Sequence, residues 1–375
     1  MRVVASVLLW VLMVSAVAQA AEVEVVKIGV VSPLTGPQAH LGKDIENGAR
    51  LAIDEVNASH PTLSGHPIRF ELLAEDDQAD PRTATVVAQK LVDNGVKGVI
   101  GHLNSGASIP AARIYAEAGI PQVSPGSTAV TYTRQGFKTT YRVMANDAQQ
   151  GRTLGEYAVR IGRRVAVVDD RTAYGQGLAD EVAKAVPAAG GEVVAREFTT
   201  DKSTDFTAIL TSLKAKRPDV VVYGGMDPQA APMARQMKML GLKAALMGGD
   251  GMQSAEFLKL AGSAAEGVIG SSPGLPLDKM PGGTKFADRF TARFGKIQIY
   301  APFSYDASRV LVTAMQQANS VEPAQYLPVL ARIAFDGVIG PIAFDTYGDL
   351  KDGPVTLYQV KSGQWAPLIT MGGKN

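Results

Sequence analysis

The chain has 375 residues, 46% of them hydrophobic, and carries 37 Lys and Arg against 36 Asp and Glu. That length is enough to bury a large core and predicts two domains, while the balanced charge argues against a polyanionic partner such as nucleic acid. The absence of cysteine excludes disulfides, thiolate metal sites, a cysteine nucleophile and a lipid-anchored N-terminal cysteine.

Residues 1–20 read as a cleaved export signal, with Arg2 as the positive end, an apolar run over 3–17 and Ala18-Gln19-Ala20 as the cleavage site. Removing it takes away Arg2 and leaves a formally neutral chain. A first strand is predicted over 26–31. A helix follows over 40–57, with Ile45, Ala49, Ala52, Ile53 and Val56 on one face. Strand 68–74 comes next, and Asp80-Pro81 opens another helix. The alternation continues through strands at 99–101, 122–124 and 140–143. It predicts a parallel sheet covered on both faces. A second series starts near Asn146, with strands at 164–168, 192–196, 220–223, 245–248 and 267–271. Pro273, Pro276 and Pro281-Gly282-Gly283 mark a loop-rich break, followed by helices at 283–294 and 302–317 and strands at 341–344 and 355–360. The fold expected is α/β, with two similar doubly wound lobes.

Residues 99–128 read as strand, serine loop, amphipathic helix, short strand and a second Ser/Thr loop. Ser105 and Ser127/Thr128 therefore fall beyond the carboxyl ends of strands, where open α/β sheets bind small ligands. Hydroxyls and unpaired amides at a helix start form a cradle for an anion such as a carboxylate. Other chemistry finds little support. His40, His60, His66 and His102 lack metal-ligand spacing, and His102 reads as a satisfied strand-end histidine. Asp76-Asp77 and Asp169-Asp170 read as loop and strand-end caps. GSSPG at 270–274 has the letters of a nucleophile elbow, but Pro273 lacks the amide that an oxyanion hole needs, so it reads as a turn.

The segments GHLNS (101–105), IPAARIYAEAGIPQVSP (109–125), YGQG (174–177) and MGGDGM (247–252), in this order, resemble the branched-chain amino-acid binding proteins of ABC importers, which have the type I periplasmic binding fold. The resemblance runs through most of the chain. It implies a three-strand hinge between lobes at 25–145 plus 275–350 and 146–274 plus 351–375. Ser105, the backbone at Gly126, and Ser127 and Thr128 match the loops that hold a ligand carboxylate, although the family more often has alanine at 126. Tyr174 matches the aromatic that covers the ligand backbone. Asp250 stands where the family has a glutamate pairing with the ligand ammonium, so the ligand sits deeper or the loop moves inward. Leu41 and Met226 replace tyrosines of the side-chain wall, Asn104 replaces a cysteine, and Tyr300 is a further candidate contact. The family often links the loops at Ala79 and Asn104 by a disulfide; here packing is expected to do that work.

The resemblance implies a monomeric periplasmic receptor without metal or cofactor. It captures a small, aliphatic amino acid by clamshell closure and delivers it to an inner-membrane ABC permease. The alternatives are a sensor of the same fold for another small amino acid, amide or carboxylate, and an enzyme using Asp76, Asp77 or Asp250. Genomic neighbours discriminate the first, and turnover the second.

Overall fold

The computed structural model describes residues 23–373; the export signal expected at 1–20 lies outside the described residues. Strands β1 (Glu24–Ser32), β2 (Thr62–Leu63), β3 (His66–Asp76), β4 (Val99–Gly101), β5 (Gln122–Ser124) and β6 (Thr140–Arg142) form one sheet in the order β2-β3-β1-β4-β5-β6. Strands β7 (Arg164–Asp169), β8 (Glu192–Phe198), β9 (Val220–Gly224), β10 (Ala245–Gly248) and β11 (Ile269–Ser272) begin a second sheet. After a small hairpin of β12 (Phe335–Asp336) and β13 (Pro341–Ile342), β14 (Val355–Lys361) and β15 (Gln364–Met371) complete it as β15-β14-β11-β10-β9-β7-β8.

Both sheets are parallel at their centres. Their edges depart from the all-parallel expectation, because β2, β14 and β15 each run antiparallel to a neighbour. The reason is topological. The chain leaves the second sheet at the end of β11 and re-enters at the same end, so Thr356 of β14 pairs with Ser272. A two-residue turn at Ser362-Gly363, both with positive φ, then folds β15 back.

Helix Ala39–Ala58 packs Leu41, Ile45, Ala49, Ile53 and Val56 into the core beside β1, as its periodicity predicts. The sheet's other face packs Val31 and Val99 against Leu91 and Tyr115. Segments 143–146, 273–282 and 343–354 carry the chain between the two sheets, the three crossings of the expected hinge.

One buried cation ties the first crossing to the third. The Arg142 side chain, wholly enclosed, donates through Nε to Asp349 (2.6 Å) and through Nη1 and Nη2 to the carbonyls of Ser127 (2.7 Å) and Ala129 (2.9 Å). Arg134, the Thr133 hydroxyl and the Asn146 amide complete the Asp349 shell. A buried ion pair is tolerated when its remaining hydrogen-bonding capacity is met, as it is here. Burial, the largest single influence, would raise the Asp349 carboxyl, but the charge of Arg142, the Thr133 hydroxyl and the charge of Arg134 together outweigh it and hold the group below the usual range.

The loops at 77–79 and 102–104 are joined by a polar pair, where packing had been expected. His102 Nδ1 lies 2.7 Å from Asp77 Oδ2 and its Nε2 3.2 Å from Tyr115 Oη, with both His102 and Asp77 fully buried. The Asp76 carboxylate caps the same turn, accepting from the amides of Leu34 and Gln78. GSSPG begins as strand β11, and only its Pro273-Gly274 end turns.

Candidate functional site

The carboxyl ends of β4 and β5 in one sheet face those of β7, β9 and β10 in the other. In each sheet the strand order reverses here, between β1 and β4 and between β7 and β9. The loops enclose a chamber of about 10 Å³ lined by Leu103, Asn104, Ser105, Gly126, Tyr174, Met226, Asp250 and Tyr300. Through Asn104, Tyr174 and Met226 it adjoins a larger cleft between the sheets, of about 720 Å³.

Ser105 opens helix Ser105–Glu117 and is buried. Its Oγ accepts the amide of Ala129 at 3.1 Å, which leaves the hydroxyl proton to donate elsewhere. His102, three residues earlier, is committed to Asp77 and Tyr115 and does not act as a base for it. What the Ser105 end offers is anion binding by a hydroxyl at a helix N-terminus.

Opposite lies Asp250, 1% exposed. Oδ1 accepts from Gln150 Nε2 (3.0 Å) and Tyr174 Oη (3.1 Å), and Oδ2 accepts from Tyr300 Oη (2.7 Å). Tyr300 comes from the helix packed on the first sheet, and the other two come from elements of the second. Burial pushes the Asp250 carboxyl up, and the three donors only partly offset this. Its flanking glycines permit the approach. A Cβ at 249 would stand 2.2 Å from Tyr174 Oη and one at 251 would stand 2.5 Å from Met226 Sδ. Ser271 holds Gln150 in place at 2.6 Å.

A second acid, Asp147, is fully buried beside Thr128, whose carbonyl accepts its amide. Burial raises its carboxyl to about 8, the Thr128 hydroxyl opposing and the Asp250 charge adding to the rise. No lysine or arginine hydrogen-bonds either acid among the described residues. Two desolvated carboxyls, one held only by neutral donors and the other with no hydrogen-bond partner, favour a cationic guest.

The structure thus brings Asn104, Ser105, Gly126, Tyr174, Met226, Asp250 and Tyr300 to one chamber, while Thr128, buried two residues beyond Gly126, is not part of its lining and meets Asp147 through its carbonyl. It does not bring Leu41, which is buried in the first-sheet core, nor Ser127. The Ser127 hydroxyl is engaged with Ser108 and with the carbonyl of Leu103 at 3.0 Å, anchoring its loop.

Four features went unread in the sequence. Asp147 and Gln150 are polar positions on the buried face of helix Asp147–Ile161, a visible signal. Asp44 accepts the amides of 298–301 at 2.7–3.1 Å and so sets Tyr300 at the chamber. His40 reaches across the cleft, its Nε2 lying 2.8 Å from Asp227 Oδ2. Burial alone would lower the His40 pKa, but the hydrogen bond and charge of Asp227, with Glu256 adding, raise it.

Among the described residues no helix is long and apolar enough to cross a membrane, and no cluster of three or more His, Cys, Asp or Glu could hold a metal. A family model described as periplasmic binding protein matches residues 25–364. The Leu/Ile/Val-binding protein homolog 1 of Brucella melitensis is 36% identical over 341 residues, 90% of this chain and 91% of that protein. Among solved structures, the leucine binding protein LivK of Thermotoga maritima superposes with a TM-score of 0.86 at 28% identity, covering 92% of this chain and 98% of that one. The substrate-binding protein LivJ of Streptococcus pneumoniae, solved with isoleucine, gives 0.83 at 25% identity, covering 93% and 100%. With two sheets, three crossings, a cleft between strand ends and a family likeness over residues 25–364, the protein belongs to the periplasmic binding protein family.

Proposed function

We propose that the protein captures a free α-amino acid between its lobes and delivers it to an inner-membrane ABC permease. One observation carries the reading: Asp250 is wholly buried at the meeting of the two lobes, held by neutral donors from both, on the far side of a chamber from the Ser105 hydroxyl. Ser105, the backbone at Gly126 and the Thr128 hydroxyl take the carboxylate. Asp250, with Asp147 beside it, takes the ammonium, and Tyr174 and Tyr300 cover it. Asn104 and Met226 border the side chain, while Leu41 and Ser127 support the wall and the loop from behind.

The chamber has room for one water-sized body, so the lobes must part to admit an amino acid and then close on it. A ligand that touches both lobes binds the closed state better, and that difference drives closure. The relatives named for leucine, isoleucine and valine make branched-chain amino acids the first candidates. Lobe limits at 25–145 plus 275–350 and 146–274 plus 351–375, a cleaved signal at 1–20, a periplasmic location and a monomeric, non-catalytic receptor belong to the same proposal.

Calorimetry on the mature chain tests it. Leucine-class amino acids should bind the unaltered protein, and Ser105→Ala and Asp250→Ala should each weaken them. Unchanged affinity in both variants contradicts the site.

A further inference from the structure

We propose that this site prefers a neutral amino acid whose side chain carries an N–H or O–H donor, glutamine-like in reach, to a purely hydrocarbon one, and that Asn104 reads that donor. The inference rests on the chamber being an amino-acid site, and it names the class of side chain that the site takes.

A side chain leaving an α-carbon held between Ser105 and Asp250 can reach the large cleft only past Asn104, Tyr174 and Met226, the residues common to both spaces. Tyr174 is already occupied by Asp250 and the amide of Gly251. Met226 offers a flexible apolar surface. Asn104 offers something else. Its Nδ2 donates to Gln38 Oε1 at 2.8 Å, which fixes the amide, while its Oδ1 is buried without a hydrogen-bond partner. A buried carbonyl oxygen left unmet costs free energy that a donor on the ligand recovers and a methyl group does not.

The space beyond has the matching character. Gln38, Gln78 and Gln229 line it, and charge there comes in neighbouring opposite signs, as in the Asp201–Lys202 pair at 3.2 Å. With neither sign in excess, a neutral polar side chain suits it better than an ionised one. Its volume of about 720 Å³ also leaves room for a side chain longer than leucine's. Leu41, the hydrocarbon expected on this wall, is turned into the core.

Calorimetric titration of the mature chain with leucine, isoleucine, asparagine and glutamine tests the inference, repeated on Asn104→Leu and Asn104→Ser. The unaltered protein should bind glutamine at least about tenfold more tightly than leucine. Asn104→Leu should erase or reverse that preference, and Asn104→Ser, which keeps an acceptor, should retain part of it. The inference is overturned if the unaltered protein prefers leucine, or if Asn104→Leu keeps the preference for glutamine. Either result leaves the amino-acid site standing. If none of the four amino acids binds, the proposed function falls, and this inference with it.

Discussion

Two buried carboxylate centres, about as enclosed as each other, are built on opposite plans. At the hinge, Asp349 faces the guanidinium of Arg142, with Arg134, Thr133 and Asn146 completing its shell, and its pKa is lowered. At the cleft, Asp250 has only two hydroxyls and an amide around it and the oxygens of Asp147 have no hydrogen-bond partner, and burial raises both pKa values, for Asp147 against a smaller opposing effect of the Arg142 charge. The first centre is electrostatically complete and serves stability. The second is completed by a cation that the protein does not itself supply, which is what a receptor for an ammonium group requires. Where a buried acid finds its counter-charge separates the scaffold from the site.

The largest expected effect breaks the hinge. Arg142→Met leaves Asp349 buried without its main partner and should cost roughly 3–5 kcal/mol of stability, read by denaturant unfolding. Adding Asp349→Leu should restore much of it, because an apolar pair of similar volume is tolerated there. Recovery of nothing would mean that the hinge depends on charge for more than neutralisation.

Asp250→Asn inverts this pattern. Removing an acid that burial already disfavours should leave unliganded stability unchanged or higher, while binding weakens by roughly 2–5 kcal/mol. Ser105→Ala should cost less, about 1–3 kcal/mol, since a neutral donor is lost at the carboxylate end.

The pH dependence sharpens the contrast. Asp349, with a lowered pKa, stabilises the fold above the ordinary value of 3.8, and this contribution fades as pH falls through its lowered value. Asp147 runs the other way. Its contribution is full below 3.8 and is lost as pH rises through about 8. At neutral pH Asp147 therefore holds its proton, and an arriving ammonium favours the ionised form. Binding should release protons, visible as a heat that differs between phosphate and Tris buffers. The smallest effect expected is at His40. Its raised pKa favours the closed state below 6.5, an advantage lost as pH climbs through the raised value. His40→Gln should weaken binding by about 1 kcal/mol at pH 6 and hardly at all at pH 9.

Much of the layout was legible because it rests on local rules. Strand periodicity located most of the strands, and Ser105 was visible as a polar residue just past a strand end, whereas Asp250, which by itself reads as a turn, stood out only through the family resemblance. The glycines around Asp250 suggested a loop able to move inward, and they do admit Tyr174 closely. Leu41 shows a signal overridden by resemblance. It lies four residues before Ile45 and eight before Ala49 on the apolar stripe, and the helix's own period places it in the core. Partnerships across long sequence distances were out of reach. Nothing local shows that Asp44 would gather the amides at 298–301, that Asp77 would meet His102, or that Arg142 would meet Asp349. Strands β2, β12 and β15 are not among the expected ones; the first two are only two residues long, while β15 follows Ser-Gly between two β-rich runs, a hairpin signal.

The most direct test is a crystal structure of the mature protein holding a tightly retained amino acid. The solute should lie between the two sheets, its carboxylate on the Ser105 hydroxyl and its ammonium within hydrogen-bonding distance of Asp250. A solute bound elsewhere, or Asp250 still shared only by Tyr174, Gln150 and Tyr300 with the ligand in place, would contradict the site.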